Sequence, residues 1–207
     1  MTEALQEGRK AEAVRIGVLA LQGDFAAHAQ ALREAGAAPV AVRRPAELAG
    51  LDGLVLPGGE STTLLELLER SEFLAPLAEF AASMPVFGTC AGCILLAEEV
   101  SHPAQKSLGA LRATVERNAY GRQNESSIET APTRLPGGPL EMVYIRAPRI
   151  ARVGEGVEVL AEREGYPVLV RQGRLMAATF HPELTADRRV HRFFVELALR
   201  ERGEREK

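Results

Sequence analysis

The chain predicts an α/β fold of three layers, with a mostly parallel central sheet covered by helices on both faces in the flavodoxin-like manner. Three observations carry this expectation. Strands alternate with helices up to about residue 110, the pattern of a parallel sheet. Four strand candidates end in unusual chemistry, "LALQG", "LPGGES", "FGTCAG" and "TFHPE", and open α/β sheets bind ligands outside the carboxyl ends of their strands. The 207 residues suffice for one substantial core and are too few for two comfortable domains.

The elements follow in order. "RIGVLALQG" (15–23) is a buried-strand run ending in Gly, and "DFAAHAQALREAG" (24–36) is a helix with Asp24 as N-cap and Gly36 as its stop. "APVAVRR" and "GLVLPGG" (53–59) are strands separated by a short polar stretch with room for a helical turn. "STTLLELLER" is a helix capped by Ser61 or a neighbouring Thr, and "FLAPLAEFAA" is a second helix. "PVFGTC" (85–90) is a strand, and "AGCILLAEE" turns directly into a helix. Beyond residue 110 come shorter strand candidates, "ATVERNA", "MVYIRAP", "VEVLAERE", "YPVLVRQG" and "LMAATF", which give the sheet a more antiparallel C-terminal portion. "DRRVHRFFVELALRER" closes the chain as a helix with Val190, Phe193, Phe194, Leu197 and Ala198 on one face. The expected organisation is an N-terminal extension over 1–14, loosely packed or disordered, a single domain over 15–202, and a tail over 203–207.

Composition sets limits on function. A formal net charge of −3 gives no electrostatic case for nucleic acid, and no apolar run reaches the roughly twenty residues of a membrane span. The N-terminus is polar and has no signal-peptide core. Two cysteines in a chain of this size argue for a reducing compartment, so the expected location is the cytoplasm. The 22 arginines against three lysines, with only two asparagines, Asn118 and Asn124, fit either a heat-adapted source or a genomic bias.

Both cysteines lie in "VFGTCAGCILL" (86–96) as Cys90-Ala-Gly-Cys93. A structural zinc site needs four ligands, and His28, His102, His181 and His191 form no zinc-type cluster with this one pair. A dithiol redox centre would leave the Gly-Gly turn and the His-Pro-Glu segment without a role. The remaining reading makes Cys90 a nucleophile. Gly88-Thr-Cys90-Ala-Gly92 at a strand-to-helix junction is the nucleophile-elbow arrangement with Cys in place of Ser, beside the backbone N–H donors of a helix start. Cys93, one turn later, reads as a buried helix residue. A nucleophile needs a base and the base an orienting group. In "FHPEL", Pro182 biases His181 toward extended geometry, and residues two apart project to the same side. His181 and Glu183 can therefore meet, with the second imidazole nitrogen left for Cys90. His28, His102 and His191 read as packed or solvated histidines, and Gln22 sits where it could reach the site or a partner.

The combination of G-T-C-A-G, the preceding "LPGG" strand end and the terminal "HPE" resembles the class I, triad-type glutamine amidotransferases. "LALQGDFAAH", "LPGGESTT", "VERNAYGRQ", "IRAPRI" and "TFHPELT" narrow the likeness to the glutaminase subunits of pyridoxal 5′-phosphate synthase, over about residues 15–200. The resemblance implies that Cys90, His181 and Glu183 are catalytic and that the backbone N–H groups of Gly59 and Ala91 form an oxyanion hole. It implies that Gly59, Glu60, Ser61, Arg117, Ile145 and Arg146 contact L-glutamine. It also implies no metal and no cofactor, and it implies a hetero-oligomer in which the partner, a separate synthase subunit, receives the ammonia. Another hydrolase with the same elbow stays open, such as a γ-glutamyl peptidase or the glutaminase partner of a different synthase.

Overall fold

A computed structural model describes residues 13–119 and 126–205. The expected extension over 1–14 lies outside the described residues except for Ala13 and Val14, as do Tyr120 to Gln123 of the "RNAYGRQ" motif and the last two residues of the tail.

The first half alternates as expected. β1 (Arg15–Leu19) leads to α1 (Phe25–Glu34) and β2 (Ala38–Val42), and a 3-10 turn at Pro45–Leu48 precedes β3 (Gly53–Leu56). Then come α2 (Ser61–Arg70), α3 (Leu74–Ser83), β4 (Val86–Thr89) and the short α4 (Ala91–Leu96). The second half is strand-rich: β5 (Ala97–Ser101), β6 (Leu111–Glu116), β7 (Ser126–Ala131), β8 (Leu140–Ile145), β9 (Arg149–Val153), β10 (Glu158–Arg163), β11 (Tyr166–Gln172) and β12 (Leu175–Ala178). A 3-10 turn at Pro182–Leu184 and α5 (Arg189–Arg205) end the described chain.

Seven strands form the central sheet in the order β10-β11-β12-β4-β3-β1-β2. β2, β1, β3, β4 and β12 are mutually parallel, while β11 and β10 run antiparallel at one edge. β3, β4 and β12 are buried along their whole lengths, as a sheet covered on both faces requires. Alternation along each strand divides the core. In β3, Leu54 and Leu56 face Leu64 and Leu68 of α2 and Leu77 of α3. Val55 faces the opposite layer with Leu32 of α1 and Phe194 of α5. This is the three-layer α/β arrangement expected from the sequence.

Several elements differ from the sequence-based expectation. The helix that opens at Ala91 stops at Leu96 instead of running through Glu98 and Glu99. The N–H groups of Leu108, Ala110 and Gly109 take the carbonyls of Leu95, Leu96 and Ala97, so the chain leaves the helix and pairs as β5 with β6. β7 and β9 are strands that the sequence-based expectation did not include. β7 pairs with β8 in a hairpin, and β9 completes a small sheet with β5 and β6. α2 is capped by Glu60, not by Ser61 or a Thr: its carboxylate accepts from the Thr62 and Thr63 N–H groups at 3.1 and 2.7 Å. A carboxylate also suits the positive end of a helix. On α5, Val190, Phe194, Leu197 and Ala198 are buried as expected. Phe193 is only partly buried, and His191 and Val195 fill the face in its place. Among the described residues no helix is long and apolar enough to cross a membrane.

The fit between β3 and α4 allows no side chain at Gly92. A Cβ there would lie 2.0 Å from the Leu56 carbonyl oxygen, well inside any tolerable contact. Helix propensity alone favours Ala over Gly by about 1 kcal/mol. Gly92→Ala is nonetheless expected to destabilise the fold by ~2 kcal/mol or more through overpacking. Urea unfolding checks this, and an increase in stability would contradict the packing.

Candidate active site

β1, β3, β4 and β12 present their carboxyl ends side by side, and the polar segments read from the sequence converge there. The chain steps from β1 outward to β2 and then back past β1 to β3, which makes this edge the topological switch point of the sheet.

Cys90 occupies the junction between β4 and α4 with φ +48° and ψ −104°, a conformation that a side-chain-bearing residue adopts only under constraint. The constraint is visible. The Cys90 N–H bonds the Ala178 carbonyl at the end of β12 at 2.9 Å, and the Cys90 carbonyl accepts from Ile94 at 3.1 Å. Gly88 and Gly92 are needed on either side because a Cβ on Gly88 would lie 2.4 Å from the Gly92 oxygen. Cys93 is fully buried, and that burial pushes its thiol pKa up.

His181 follows β12 and is anchored by its N–H to the Val143 carbonyl of β8 at 2.8 Å. Its Nδ1 lies 2.8 Å from Glu183 Oε1, leaving Nε2 for the Cys90 side chain. Gly58 lets the two approach, since a Cβ there would sit 2.5 Å from His181 Cε1 and 3.2 Å from Cys90 Cβ. Burial works to lower the His181 pKa. The hydrogen bonds and charges of Cys90 and Glu183 outweigh it and raise the value to about 10.

A cavity of about 220 Å³ opens over these groups. Gly59, Glu60, Ser61, Cys90, Arg117, Ile145, Arg146 and His181 all line it, so every substrate-contact candidate from the sequence is brought to one place. Ala91 lies fully buried beneath it at the start of α4. Gly59 has φ +132°, and a Cβ there would meet the Gln22 amide at 2.9 Å; Gln22 Nε2 donates to the Glu60 carbonyl at 2.7 Å. Glu60 also lies 3.6 Å from Arg117. Burial raises the Glu60 pKa, but the bonds from Thr63 and Thr62 prevail and hold the carboxyl below its ordinary value. Ser61 donates to Gln105 Oε1 at 3.0 Å. Asn118 and Ile94 complete the wall, and neither was given a role in the site from the sequence.

Residues 18–200 match the SNO glutamine amidotransferase family. The chain belongs to that family. The pyridoxal 5′-phosphate synthase subunit PdxT of Koribacter versatilis (strain Ellin345) is 60% identical over 184 residues, 89% of this chain and 95% of the relative. PdxT of Solibacter usitatus (strain Ellin6076) is 54% identical over 187 residues, 87% and 97% of the two chains. A crystal structure described as a glutamine amidotransferase superposes with a TM-score of 0.82 at 49% identity, covering 88% of this chain and 98% of that one. A putative GMP synthase protein from Thermoplasma acidophilum shares the fold at a TM-score of 0.71 and 19% identity, covering 94% of this chain and 98% of that one. As a member of a glutamine amidotransferase family, the chain is an enzyme of the amide hydrolase class.

The amidotransferase contains buried histidines that the sequence reading treated as packed or solvated. His28 and His191 are both fully buried, and they lie behind the triad candidates, not on the surface. Each occupies the inward face of its helix, His28 with Ala31 and Leu32, and His191 with Phe194 and Val195. That i, i+3, i+4 spacing was the available signal. Burial, with the charges of His191 and His181, drives the His28 pKa well below its ordinary value. Burial and Arg188 lower that of His191 to about 3.

These opposite shifts set a pH dependence of stability. His181 is protonated more readily folded than unfolded, so its contribution is complete below pH 6.5 and is lost as pH rises toward about 10. His28 and His191 bind protons more readily when unfolded, so stability also falls as pH drops below 6.5. Urea midpoints are therefore expected to peak near pH 6.5. His181→Gln should flatten the alkaline side up to about pH 9, where burial of Cys93 begins to contribute, and His191→Leu should flatten the acid side. A wild-type midpoint that climbs steadily from pH 6.5 to 9 would contradict the His181 assignment.

Proposed function

We propose that the chain is the glutaminase subunit of a pyridoxal 5′-phosphate synthase, acting in the cytoplasm as one domain over residues 15–202. It would hydrolyse L-glutamine to L-glutamate and ammonia and deliver the ammonia to a separate synthase subunit. The observation that carries this reading is the junction of Cys90 with the His181–Glu183 pair in the wall of one cavity. The names of the relatives at 54–60% identity support the choice of acceptor.

In this scheme the Cys90 sulfur attacks the side-chain amide carbon of glutamine. Negative charge gathers on the amide oxygen, which the N–H groups of Gly59 and Ala91 receive; Ala91 opens α4, where a backbone donor has no intrahelical partner. His181 gives its Nε2 proton to the departing nitrogen, the C–N bond breaks, and a glutamyl thioester and ammonia result. His181, now neutral, takes a proton from water. The hydroxide attacks the thioester, and glutamate leaves as the Cys90–His181 pair is restored. Glu183 holds the Nδ1–H of His181 and stabilises the imidazolium. Glu60 faces the substrate ammonium, Arg117 and Arg146 face its carboxylate, and Ser61 and Ile145 flank the chain between. None of these steps calls for a metal or a cofactor.

Glutamate release from L-glutamine tests the scheme, measured for wild type, Cys90→Ala and Cys93→Ala, each with and without the synthase subunit. Turnover should rise with the partner, fall by ~10⁴-fold or more in Cys90→Ala, and stay within about threefold of wild type in Cys93→Ala, which removes only a packed sulfhydryl. Retained activity in Cys90→Ala would overturn the nucleophile assignment. Partner-independent turnover of γ-glutamyl peptides would favour a peptidase.

A further inference from the structure

The proposed chemistry uses one oxygen of Glu183. The other, Oε2, is buried and makes no aligned hydrogen bond among the described residues, yet it lies 3.2 Å from Nε2 of His28 on α1. The same nitrogen is 3.1 Å from the hydroxyl of Thr89, the residue before Cys90. On its far side, His28 Nδ1 is 3.1 Å from Nε2 of His191 on α5. Phe87 stands edge-on to both imidazoles, with ring centroids 6.5 and 6.2 Å away. Burial keeps both rings neutral, so each carries a single N–H.

The carboxylate decides where those protons sit. With its proton on Nδ1, His28 would turn a lone pair toward Glu183 Oε2 at 3.2 Å, placing two acceptors against each other in a site closed to water. The proton therefore belongs on Nε2. His28 Nδ1 is then an acceptor, which requires the proton of His191 to be on Nε2. That leaves the bare Nδ1 of His191 buried without a hydrogen-bond partner among the described residues. An unpaired ring acceptor is all that the arrangement leaves unsatisfied at that end, so one tautomer assignment accounts for the whole row.

We propose that His28 is a positioning residue for the triad, presenting its Nε2–H to the Thr89 hydroxyl and to Glu183 Oε2, with its ring held from behind by the Nε2–H of His191. The proposal rests on the reading of Cys90, His181 and Glu183 as the catalytic groups. His28 stands against the second oxygen of the carboxylate, so that Oε1 stays on His181 Nδ1. It touches neither substrate nor the reacting atoms. It ties α1 and α5 to the catalytic edge of the sheet.

The test compares wild type, Cys90→Ala, His28→Leu, His28→Gln and His191→Leu, each in the full complex with the synthase subunit. kcat and KM for glutamine are measured, with the downfield proton resonance of His181 Nδ1–H as a reporter that packing alone would not move. His28→Leu is expected to lower kcat by ~10- to 100-fold through misplacement of the base, leave KM within about threefold, and displace the resonance. His28→Gln, which returns an N–H near Glu183, is expected to recover most of that loss. His191→Leu removes the donor to His28 Nδ1, leaves that nitrogen buried and unpaired, and should lower kcat with His28 still present; it decides the question if His28→Leu does not fold. Wild-type kcat and an unmoved resonance in folded His28→Leu, or wild-type kcat in His191→Leu, would overturn the proposal and leave the triad intact. Activity surviving in Cys90→Ala would instead remove the triad reading on which it stands.

Discussion

The site depends on one backbone turn. Cys90 sits at φ +48°, and residues other than Gly adopt such geometry at a cost on the order of 1–3 kcal/mol. The surrounding packing over-determines it. Gly92 presses the first turn of α4 onto the Leu56 carbonyl, Gly88 presses onto Gly92, and the end of β12 takes the Cys90 N–H. α4 can therefore start only where it does, with Cys90 at its mouth and Ala91 beneath. Because β12 is the strand that grips this turn, the chain that follows it, Phe180 to Glu183, is delivered to the same place. Cys90 and His181 thus share one hydrogen-bonded strand pair, although 91 positions separate them in the sequence.

Three histidines around this turn show how far environment controls a single residue type. All are buried, and burial alone would hold each neutral. His181 escapes because Cys90 and Glu183 both meet it, and its pKa ends near 10. His191 has no comparable partner and falls to about 3. His28 lies beside the same carboxylate as His181, yet its burial, aided by the charges of His191 and His181, keeps it neutral. One Glu183 therefore has a charged imidazole at one oxygen and a neutral one at the other. Such asymmetry suits a base that must hold a proton on one nitrogen and exchange it on the other.

Much of this was legible in the sequence because it was written locally. The strand ends, the elbow glycines and the His-x-Glu spacing each lie within five residues, and the helix stop at Gly36 and the Asp24 cap follow from neighbours. What was not legible depends on distant partners. "CILLAEE" has a helical pattern, and only the N–H groups of residues 108–110 end the helix at Leu96. β9 has a weak alternation of its own, and it is held to β6 by backbone pairing and by the Arg149–Glu116 ion pair. Glu60 caps α2 instead of Ser61 because Ser61 has a partner, Gln105, that is 44 positions away. His28 and His191 lie 163 positions apart. Their helical spacing marked them as inward-facing, but nothing local showed that they would meet.

The cavity has a further property that follows from Glu60 serving two elements. Its carboxylate caps α2 and lies 3.6 Å from Arg117, whose guanidinium also donates to Thr62 at 2.7 Å. Glu60 and Arg117 thus set one charge of each sign side by side in the cavity wall, which Arg146 also lines, and such a pair complements a zwitterion such as an amino acid. Glu60 is about half exposed, so its pair with Arg117 is worth at most ~1 kcal/mol. A ligand that sets an ammonium against Glu60 and a carboxylate against Arg117 breaks a weak contact and makes two. Arg117 also keeps a buried Nε–H without a partner among the described residues, a donor that an entering carboxylate would satisfy. The α2 cap holds the Glu60 carboxylate in place, so its position does not depend on the ion pair with Arg117.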